Sequence, residues 1–346
     1  MSISIIQPGM FTTVQDEGRF GFQHLGFSSA GAMDLYSYLI GKTLIGNNGP
    51  SLEYTIIGPT LQFNKDNTFI LTGAHVNAKL NEETVDINTV IYACKGDILK
   101  VGAVTAGARG YIFFGHPLDI QPIAESYSTH TRSKIGGYKG RPLSKGDLIY
   151  LKENPSFKQN LGKTTVYNAI PEDNIIHIIT GPQIEAFSKE SINKLVNMEY
   201  KVSEKSDRMG YRLNGEHIPP KTGADIISEP VALGSIQVPN DGNPIILLND
   251  KQTIGGYTKI ATVTQLDLNK IAQFKPGDLI RFKWSTIEES AKVQEQYLNH
   301  FNHLNAEINT SPTFNMGEMR PTAKKLTKII TEERYCLLYT SPSPRD

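Results

Sequence analysis

The sequence predicts a mainly β (α+β) fold with a few short helices, and three observations lead to this prediction. Short apolar runs rich in β-branched and aromatic residues recur along the 346 residues, and glycine, proline or asparagine bounds them. Glycine (30 residues) and proline (19 residues) are abundant enough to supply the turns. A glycine–aspartate motif followed by an apolar pair occurs three times.

The apolar runs are expected to be buried strands. The clearest of them are residues 68–72, 110–115, 175–180 and 244–248. Each run is shorter than a typical helix, and its β-branched content favours an extended chain.

The glycine–aspartate motif is interpreted as a turn that leads into a strand. It is found at 95–99, 145–149 and 276–280. Glycine supplies the positive φ that a tight turn requires, and aspartate accepts hydrogen bonds from nearby backbone. We therefore assign these three aspartates to turns and not to chemistry.

Two helices are predicted within the body of the chain. Residues 31–45 carry an apolar face, with Ser29 as a candidate N-cap and Gly46 just beyond the end. A second, short helix is expected to follow Ser188.

The third and clearest predicted helix runs from Ile287 to Leu304 and carries an apolar stripe. Two alternative capping boxes precede it: one pairs Ser285 with Glu288, and the other pairs Thr286 with Glu289.

The chain is predicted to consist of two related β-rich halves. The segments 136–138 and 255–257 both read Gly-Gly-Tyr, and each half closes on a glycine–aspartate turn. The predicted boundaries are 1–151 for the first half, 152–173 for a connecting segment, 174–285 for the second half, 286–304 for a C-terminal helix and 305–346 for a polar tail. We expect this tail to be disordered, and we interpret its end, 335–346, as non-native sequence.

Composition and charge exclude several classes of protein. Lysine plus arginine equals aspartate plus glutamate at 35 each, which disfavours a nucleic-acid or membrane-surface partner. With two cysteines and no apolar leader or membrane-length segment, we expect no disulfide framework and a cytoplasmic protein. Cys94, beside a predicted strand, is expected to be a buried thiol.

The segment from Ser206 to Arg212 is the first candidate site. It places two arginines, Arg208 and Arg212, beside Asp207. Arginine suits two-pronged recognition of carboxylate or phosphate, so the segment indicates a site for an anionic small molecule. The alternative is an arginine–aspartate pair that only holds a loop in place.

The familiar catalytic motifs are missing from the sequence. Gly41-Lys42-Thr43 and Gly162-Lys163-Thr164 resemble the end of a P-loop but lack its leading glycine. No nucleophile elbow is present, and the histidines show no metal-ligand spacing, so we predict no metal site and no covalent nucleophile. The remaining polar groups suit positioning and electrostatic stabilisation.

The candidate catalytic residues are therefore polar or aromatic groups in glycine-rich surroundings. An arginine would hold a carboxylate or phosphate, an aspartate would orient that arginine, and a tyrosine after a glycine pair would donate to a carbonyl. These residues are Asp207, Arg208, Arg212, Tyr138 and Tyr257. The candidate substrate-binding residues are Arg19, Asp34, Arg141, Ser206, Glu229, Gln237 and Gln252.

Several polar blocks together resemble the KipA family, also described as allophanate hydrolase subunit 2 or the biotin-dependent carboxyltransferase A/B subdomain. The blocks are residues 15–19, 26–34, 136–141, 206–212, 227–230, 234–244 and 250–257. The resemblance covers about residues 1–285. One departure is visible, because Lys251 stands where an arginine is expected.

The resemblance implies two cyclophilin-like β-barrel units. The branch of the family that is most similar supplies the C subunit of bacterial ATP-dependent 5-oxoprolinases. A member of that branch is expected to act with two other subunits, one KipI-like (B) and one LamB/YcsF-like (A). Together they cleave 5-oxo-L-proline to L-glutamate at the expense of ATP, a hydrolase reaction on a cyclic amide. ATP is the expected cofactor, and any contact with it either uses a geometry other than a P-loop or belongs to a partner chain, for example at a partner interface; no residue here is assigned to it.

Two alternative functions remain open at the level of the sequence. One is a biotin-dependent carboxyltransferase subunit that acts on urea or a similar small molecule. Because the chain has no Ala-Met-Lys-Met segment, we expect no covalently attached biotin on it. The other is a non-enzymatic regulator that binds KipI.

Overall fold

The computed structural model describes residues 1–310, which form nineteen strands, four α-helices and two short 3-10 helices. The strands before the connecting segment are β1 (Ser2–Gln7), β2 (Phe11–Gln15), β3 (Ser51–Thr55), β4 (Ile57–Phe63), β5 (Asn67–Val76), β6 (Lys79–Leu80), β7 (Glu83–Thr84), β8 (Ile91–Ala93), β9 (Ile98–Phe114) and β10 (Leu148–Tyr150). Those after it are β11 (Ile175–Thr180), β12 (Glu199–Val202), β13 (Gly210–Asn214), β14 (Asp225–Pro230), β15 (Ser235–Gln237), β16 (Ile245–Leu247), β17 (Ile254–Tyr257), β18 (Lys259–Val263) and β19 (Leu279–Trp284). The α-helices are α1 (Leu35–Ile45), α2 (Lys189–Asn197), α3 (Gln265–Gln273) and α4 (Ile287–Thr310).

The first half is a ten-stranded sheet that curls into a half-barrel around its own apolar core. Its longest strand, the seventeen-residue β9, pairs with β4 and β6 near its start and with β3 and β5 further along. A single strand that pairs on both sides along its length joins all parts of the sheet into one unit.

The second half is a closed seven-stranded barrel, in the order β11-β18-β15-β16-β13-β12-β19. Parallel pairing of β11 with β19 closes it, because Ile175 lies opposite Arg281 and Ile178 opposite Trp284. A separate two-stranded ribbon of β14 and β17 stands beside the barrel. The predicted fold class, mainly β with two β-barrel units, is confirmed, and only the second unit is fully closed.

The predicted helices are present, with two corrections at their ends. Helix α1 begins at Leu35 and not at residue 31, because Asp34, not Ser29, is the N-cap and accepts from the backbone N–H of Ser37 at 3.0 Å. Helix α2 follows Ser188, which caps it as expected. Thr286 and Glu289 form the capping box before α4.

Helix α4 continues to Thr310, so residues 305–310 belong to the helix and not to the tail as predicted. The rest of the predicted tail, including the end interpreted as non-native, lies outside the described residues. The prediction for Cys94 is wrong, because this thiol is exposed beside the turn before β9.

The three glycine–aspartate turns are confirmed. Each precedes a strand, namely β9, β10 or β19. In each turn the aspartate side chain accepts from the backbone N–H three residues earlier: Asp97 from Cys94, Asp147 from Ser144 and Asp278 from Lys275. Their backbone role is the one expected of turn residues.

The two halves meet through polar contacts that are buried or partly buried. Asn249 of the second half donates to the carbonyl oxygens of Ala30 and Ala32 in the first. Gln273 on α3 bonds to the side chain of Asp34 and to the backbone of Arg109. Because these groups leave water together, the contact fixes how the halves are placed. No helix in the described part of the chain is both long and apolar enough to cross a membrane.

Candidate functional site

A cavity of about 370 Å³ lies on the second barrel and faces the first half. Its walls come from the turn before β13, the edges of β15 and β16, and the segment that leads into β17. The lining residues are Arg132, Lys205, Asp207, Met209, Gly210, Arg212, Val231, Gln237, Ile245, Leu247, Lys251, Gln252, Ile254, Gly255, Gly256 and Tyr257. Arg132 is the contribution of the first half.

Five of the predicted site residues line this cavity, although they come from distant parts of the sequence. They are Asp207, Arg212, Gln237, Gln252 and Tyr257. Ser206 stands beside them, where its hydroxyl accepts from the backbone N–H of Arg212 at 3.1 Å. Ser206 therefore fixes the backbone of Arg212.

Strand β13 explains why Arg212 reaches the cavity. Along this strand Tyr211 and Leu213 are buried and Arg212 is exposed, as the alternation of a β-strand requires. The buried neighbours anchor the strand in the barrel core, and the arginine side chain is left free to face a ligand.

Asp207 does not orient an arginine side chain, which corrects the role expected of it. Its carboxylate accepts from the backbone N–H groups of Met209 at 2.8 Å and Gly210 at 3.2 Å. It therefore holds the turn that carries the cavity wall.

The cavity is cationic. Four basic side chains line it, Arg132, Lys205, Arg212 and Lys251, against the single carboxylate of Asp207. This excess of positive charge favours an anionic ligand, because charges of one sign in a cleft raise the local concentration of counter-ions.

Two largely buried residues at this cavity carry a side-chain nitrogen with no partner among residues 1–310. Lys251 is only 6% exposed, and its ammonium makes neither a hydrogen bond nor an ion pair within the described residues. Burial lowers the pKa of Lys251. Gln237 is also 6% exposed, and its Nε2 finds no acceptor. An unpartnered buried donor is costly, so the Gln237 amide indicates a place for a ligand's oxygen atom, and the Lys251 ammonium on the same cavity is available to pair with an anion.

A glycine keeps the Gln237 amide at the cavity wall. A Cβ on Gly255 would lie 2.7 Å from Gln237 Nε2 and 2.9 Å from Val231. A larger residue at 255 would therefore displace the amide. This close approach gives a physical reason for glycine in the second Gly-Gly-Tyr segment.

Arg208 does not line the cavity. Its guanidinium is buried between two carboxylates, with Nη1 paired to Glu53, and with Nε at 3.1 Å and Nη2 at 3.0 Å from the Asp250 oxygens. Nη2 also donates to the carbonyl of Gly31 at 2.6 Å. Burial alone would lower the pKa of Arg208, but Asp250 and Glu53 raise it above its ordinary value. Arg208 thus joins the halves, the structural alternative left open above.

Four predicted residues, Arg19, Asp34, Tyr138 and Arg141, lie in the first half and do not line the cavity. Arg19 is fully buried, and its guanidinium donates to the backbone carbonyls of Ile123 and Ser128. Tyr138 packs against the first core, and Arg141 lies 5.4 Å from its ring centroid while it binds Asp147 through two 2.7 Å contacts. The two Gly-Gly-Tyr segments are therefore not equivalent, since only the second reaches the cavity.

Asp34 and Glu229 also have partners within the protein. Asp34 accepts from Gln273 Nε2 at 2.7 Å, and its burial raises its pKa. Glu229 on β14 pairs with Lys259 at 2.8 Å, and hydrogen bonds from Lys259 and then Gln183 lower its pKa. Glu229 supports the ribbon whose other strand, β17, forms a wall of the cavity.

Neither Arg132 nor Lys205 was predicted from the sequence, and Lys251 stood out there only as a departure from a pattern. Arg132 lies in a turn of the first half, 77 residues before Met209, whose sulfur its Nη1 approaches at 2.8 Å. No local signal in the sequence marks such a residue, because the fold alone brings it to the cavity.

A larger cavity, of about 570 Å³, lies between α3, β19 and α4. Its most notable pair is His177 with Asp267, joined at 2.8 Å, but Asp267 also accepts from the His177 backbone and so ties α3 to β11. None of the predicted site residues lines it. Within residues 1–310 no group of three metal-ligating side chains occurs.

Comparison with known proteins finds one family model, described as carboxyltransferase domain, subdomain A and B, which matches residues 25–284. The chain is 34% identical over 304 residues to the 5-oxoprolinase C subunit of Escherichia coli, covering 87% of this chain and 97% of that protein. It is also 34% identical over 312 residues to the 5-oxoprolinase C subunit of Haemophilus influenzae, covering 89% of this chain and all of that protein.

Among solved structures, the urea amidolyase of Kluyveromyces lactis is similar with a TM-score of 0.79 at 29% identity. The match covers 87% of this chain and 20% of that one, so this chain spans about a fifth of the larger protein. The urea amidolyase of Saccharomyces cerevisiae is 30% identical over 321 residues, which cover 85% of this chain and 17% of that protein.

Proposed function

Because the chain belongs to the carboxyltransferase domain, subdomain A and B family, and matches curated 5-oxoprolinase subunits over nearly their whole length, we propose that it is the C subunit of an ATP-dependent 5-oxoprolinase. The reaction is the cleavage of 5-oxo-L-proline to L-glutamate. In enzyme terms the chain is one part of a hydrolase complex that acts on a cyclic amide.

The length of the matches favours this function over the others. The two 5-oxoprolinase subunits are covered at 97% and 100%, whereas a urea amidolyase is covered at only 17%. A chain that matches such a subunit over nearly its whole length is expected to have the same function.

The observation that carries the assignment to this cavity is its charge. The substrate 5-oxo-L-proline presents a carboxylate and a planar amide. Arg212 and Arg132 are placed to bind the carboxylate, and the free Nε2 of Gln237 is suited to donate to the amide oxygen. Tyr257, which is 41% exposed, borders the same space and supplies a further hydroxyl.

A five-membered lactam is a stable amide, and ATP supplies the phosphoryl group that makes its carbonyl carbon a better electrophile. Within this chain the basic side chains of the cavity would stabilise negative charge that develops on the amide oxygen. Because the chain has no P-loop, we place the ATP site at an interface with a partner.

The proposed partners are a KipI-like protein and a LamB/YcsF-like protein, and the proposed location of the complex is the cytoplasm. Biotin is not attached to this chain in the proposal, because no attachment segment is present in its sequence.

The direct test mixes the purified full-length chain with its KipI-like and LamB/YcsF-like partners and measures glutamate released from 5-oxo-L-proline. We expect release only when all three chains and ATP are present. Mixtures that omit one chain or ATP are the matched controls. A correctly assembled complex that releases no glutamate would contradict the proposal.

A carboxyltransferase acting on urea is the second candidate, favoured by the family description and by the 0.79 TM-score to urea amidolyase. It predicts transfer of a carboxyl group from carboxybiotin to urea, which labelled bicarbonate would follow. Binding of the KipI-like protein without activity in any mixture would instead indicate a regulator.

A further inference from the structure

Lys251 is a buried cation with no protein counter-charge. Its backbone is fixed on both sides, since its N–H donates to the Leu248 carbonyl at 2.9 Å and its own carbonyl accepts from Ser28 Oγ at 2.7 Å. The side chain lines the cavity, and no acceptor within residues 1–310 bonds to its ammonium. The adjacent carboxylate of Asp250 is occupied by Arg208.

The groups that face Lys251 across the cavity do not offset its charge. Arg132, Lys205 and Arg212 are cations, and Tyr257 contributes a neutral phenol. The one carboxylate, Asp207, is held by two backbone N–H groups.

Behind the cavity, the His130 ring lies 3.3 Å from the backbone carbonyl of Asp250 through Nε2, and its Nδ1 accepts from the backbone N–H of Ser133 at 3.4 Å. The pKa of the Lys251 side chain is lowered by burial, and no neighbouring charge contributes to this shift. A cation in a mostly buried side chain with no protein counter-charge favours an anion in the cavity that it lines.

We propose that Lys251 is a further anion-binding residue of this cavity, whose ammonium pairs with a carboxylate or phosphate oxyanion that enters beside Arg132 and Arg212. No covalent bond forms in this step, since the ammonium and the oxyanion form an ion pair. The proposal deepens the proposed function, on which it rests for the choice of 5-oxo-L-proline as probe. The free amide of Gln237 is placed to donate to the same ligand.

The direction of the pH effect follows from the positive charge that Lys251 needs in order to bind an anion. The free amine has its pKa below the ordinary lysine value, and a bound anion raises it. At pH values between these two pKa values the free Lys251 side chain is mainly neutral and must take up one proton when the anion binds. The affinity for the anion therefore falls by about tenfold for each pH unit of increase in this range. An arginine at this position would stay charged and would show no such fall.

The experiment follows Lys251 itself in the full-length chain labelled with carbon-13 at the lysine Cε. The spectrum of Lys251→Arg identifies its resonance. The pH titration is run free, with saturating 5-oxo-L-proline, and separately with inorganic phosphate. We expect Lys251 to titrate below the exposed lysines when free and to move upward with at least one of the two anions.

Two substitutions test the same idea by binding. We expect Lys251→Met to weaken binding of the active anion at least tenfold, and Lys251→Arg to keep the affinity while abolishing its fall at alkaline pH. The matched controls are Lys100→Met and Lys100→Arg, at an exposed lysine of β9 outside the cavity, which should change neither property.

Each outcome has a definite meaning. A shift with 5-oxo-L-proline assigns Lys251 to the substrate carboxylate or amide oxygen, and a shift with phosphate alone assigns it to a phosphoryl group. No shift with either anion, or an unchanged pH profile in Lys251→Arg, overturns the proposal. A shift in a chain whose complete complex releases no glutamate would refute the proposed function and leave the role of Lys251 standing.

Discussion

Two arginines four residues apart, Arg208 and Arg212, have opposite environments. Arg208 is 5% exposed and pairs with Glu53 and Asp250, whereas Arg212 is exposed at the cavity and has no carboxylate partner within residues 1–310. The same residue type therefore serves stability at one position and is available for binding at the other. Mutation separates these roles.

We expect Arg208→Met to destabilise the fold by about 3–5 kcal/mol, because it leaves two buried carboxylates without their partner. Denaturant unfolding followed by circular dichroism measures the loss. A change below about 1 kcal/mol would show that the buried ion pair does not hold the halves together.

Arg212→Met is expected to behave in the opposite way. Its unfolding midpoint should match the wild type, since exposed substitutions change stability by only about 0.5 kcal/mol. In the complete complex kcat/KM should fall by about 10- to 100-fold, the loss expected when a hydrogen bond to a charged substrate group is removed. Unchanged kcat/KM would exclude Arg212 from the site.

The sequence could indicate the segment that holds both arginines but not their separate roles. The carboxylate that Arg208 needs, Glu53, lies 155 positions away, and nothing local marks it. The same limit applies to Arg132. Gln237, Gln252 and Tyr257 could be predicted because they stand in polar, glycine-containing blocks that surround one cavity in the structure.

At the level of elements, the strands and turns were the most predictable part. The glycine–aspartate turns have a local cause, and all three are present. Helix α3 was missed because its nine residues begin only one residue after the end of β18, so the apolar positions of the two elements form one mixed pattern. The end of α4 was missed because residues 305–310 are polar, except for Ala306 and Ile308.

Ile308 shows what the last turns of α4 contribute. It is 4% exposed in the apolar cluster that joins α4 to α1, in which Tyr297 and Tyr36 lie 4.6 Å apart between ring centroids. We expect Ile308→Ala to destabilise the fold by about 2–5 kcal/mol, the usual cost of a cavity at a buried isoleucine. Thermal unfolding measures this loss.

The matched control is Leu298→Ala on the same helix, at a side chain that is 48% exposed. It should change stability by no more than about 0.5 kcal/mol. If both variants unfold like the wild type, α4 does not contribute to the stability of the body of the protein.

At the scale of the whole molecule, the interface between the halves is expected to make them unfold together. Gln273 lies at its centre. Its Oε1 accepts from the backbone N–H groups of Ala108 at 3.0 Å and Arg109 at 3.2 Å, and its Nε2 donates to Asp34 at 2.7 Å. One side chain of the second half thus forms hydrogen bonds with buried groups of the first. If the halves separated, each would be left with unpaired polar atoms.

Two probes can test this coupling. The single tryptophan, Trp284, reports on the second half, and a fluorophore on the exposed Cys94 reports on the first, in a Cys336→Ser background. We expect the two denaturant transitions of this protein to coincide, as in cooperative unfolding.

Gln273→Ala should move both transitions together by about 2–4 kcal/mol, because it leaves several buried donors and acceptors unsatisfied. The exposed Gln159→Leu is the control and should move neither. Two separate transitions in the wild-type protein would mean that each half is stable alone. The interface that brings Arg132 to the cavity would then be weaker than the buried hydrogen bonds between the halves indicate.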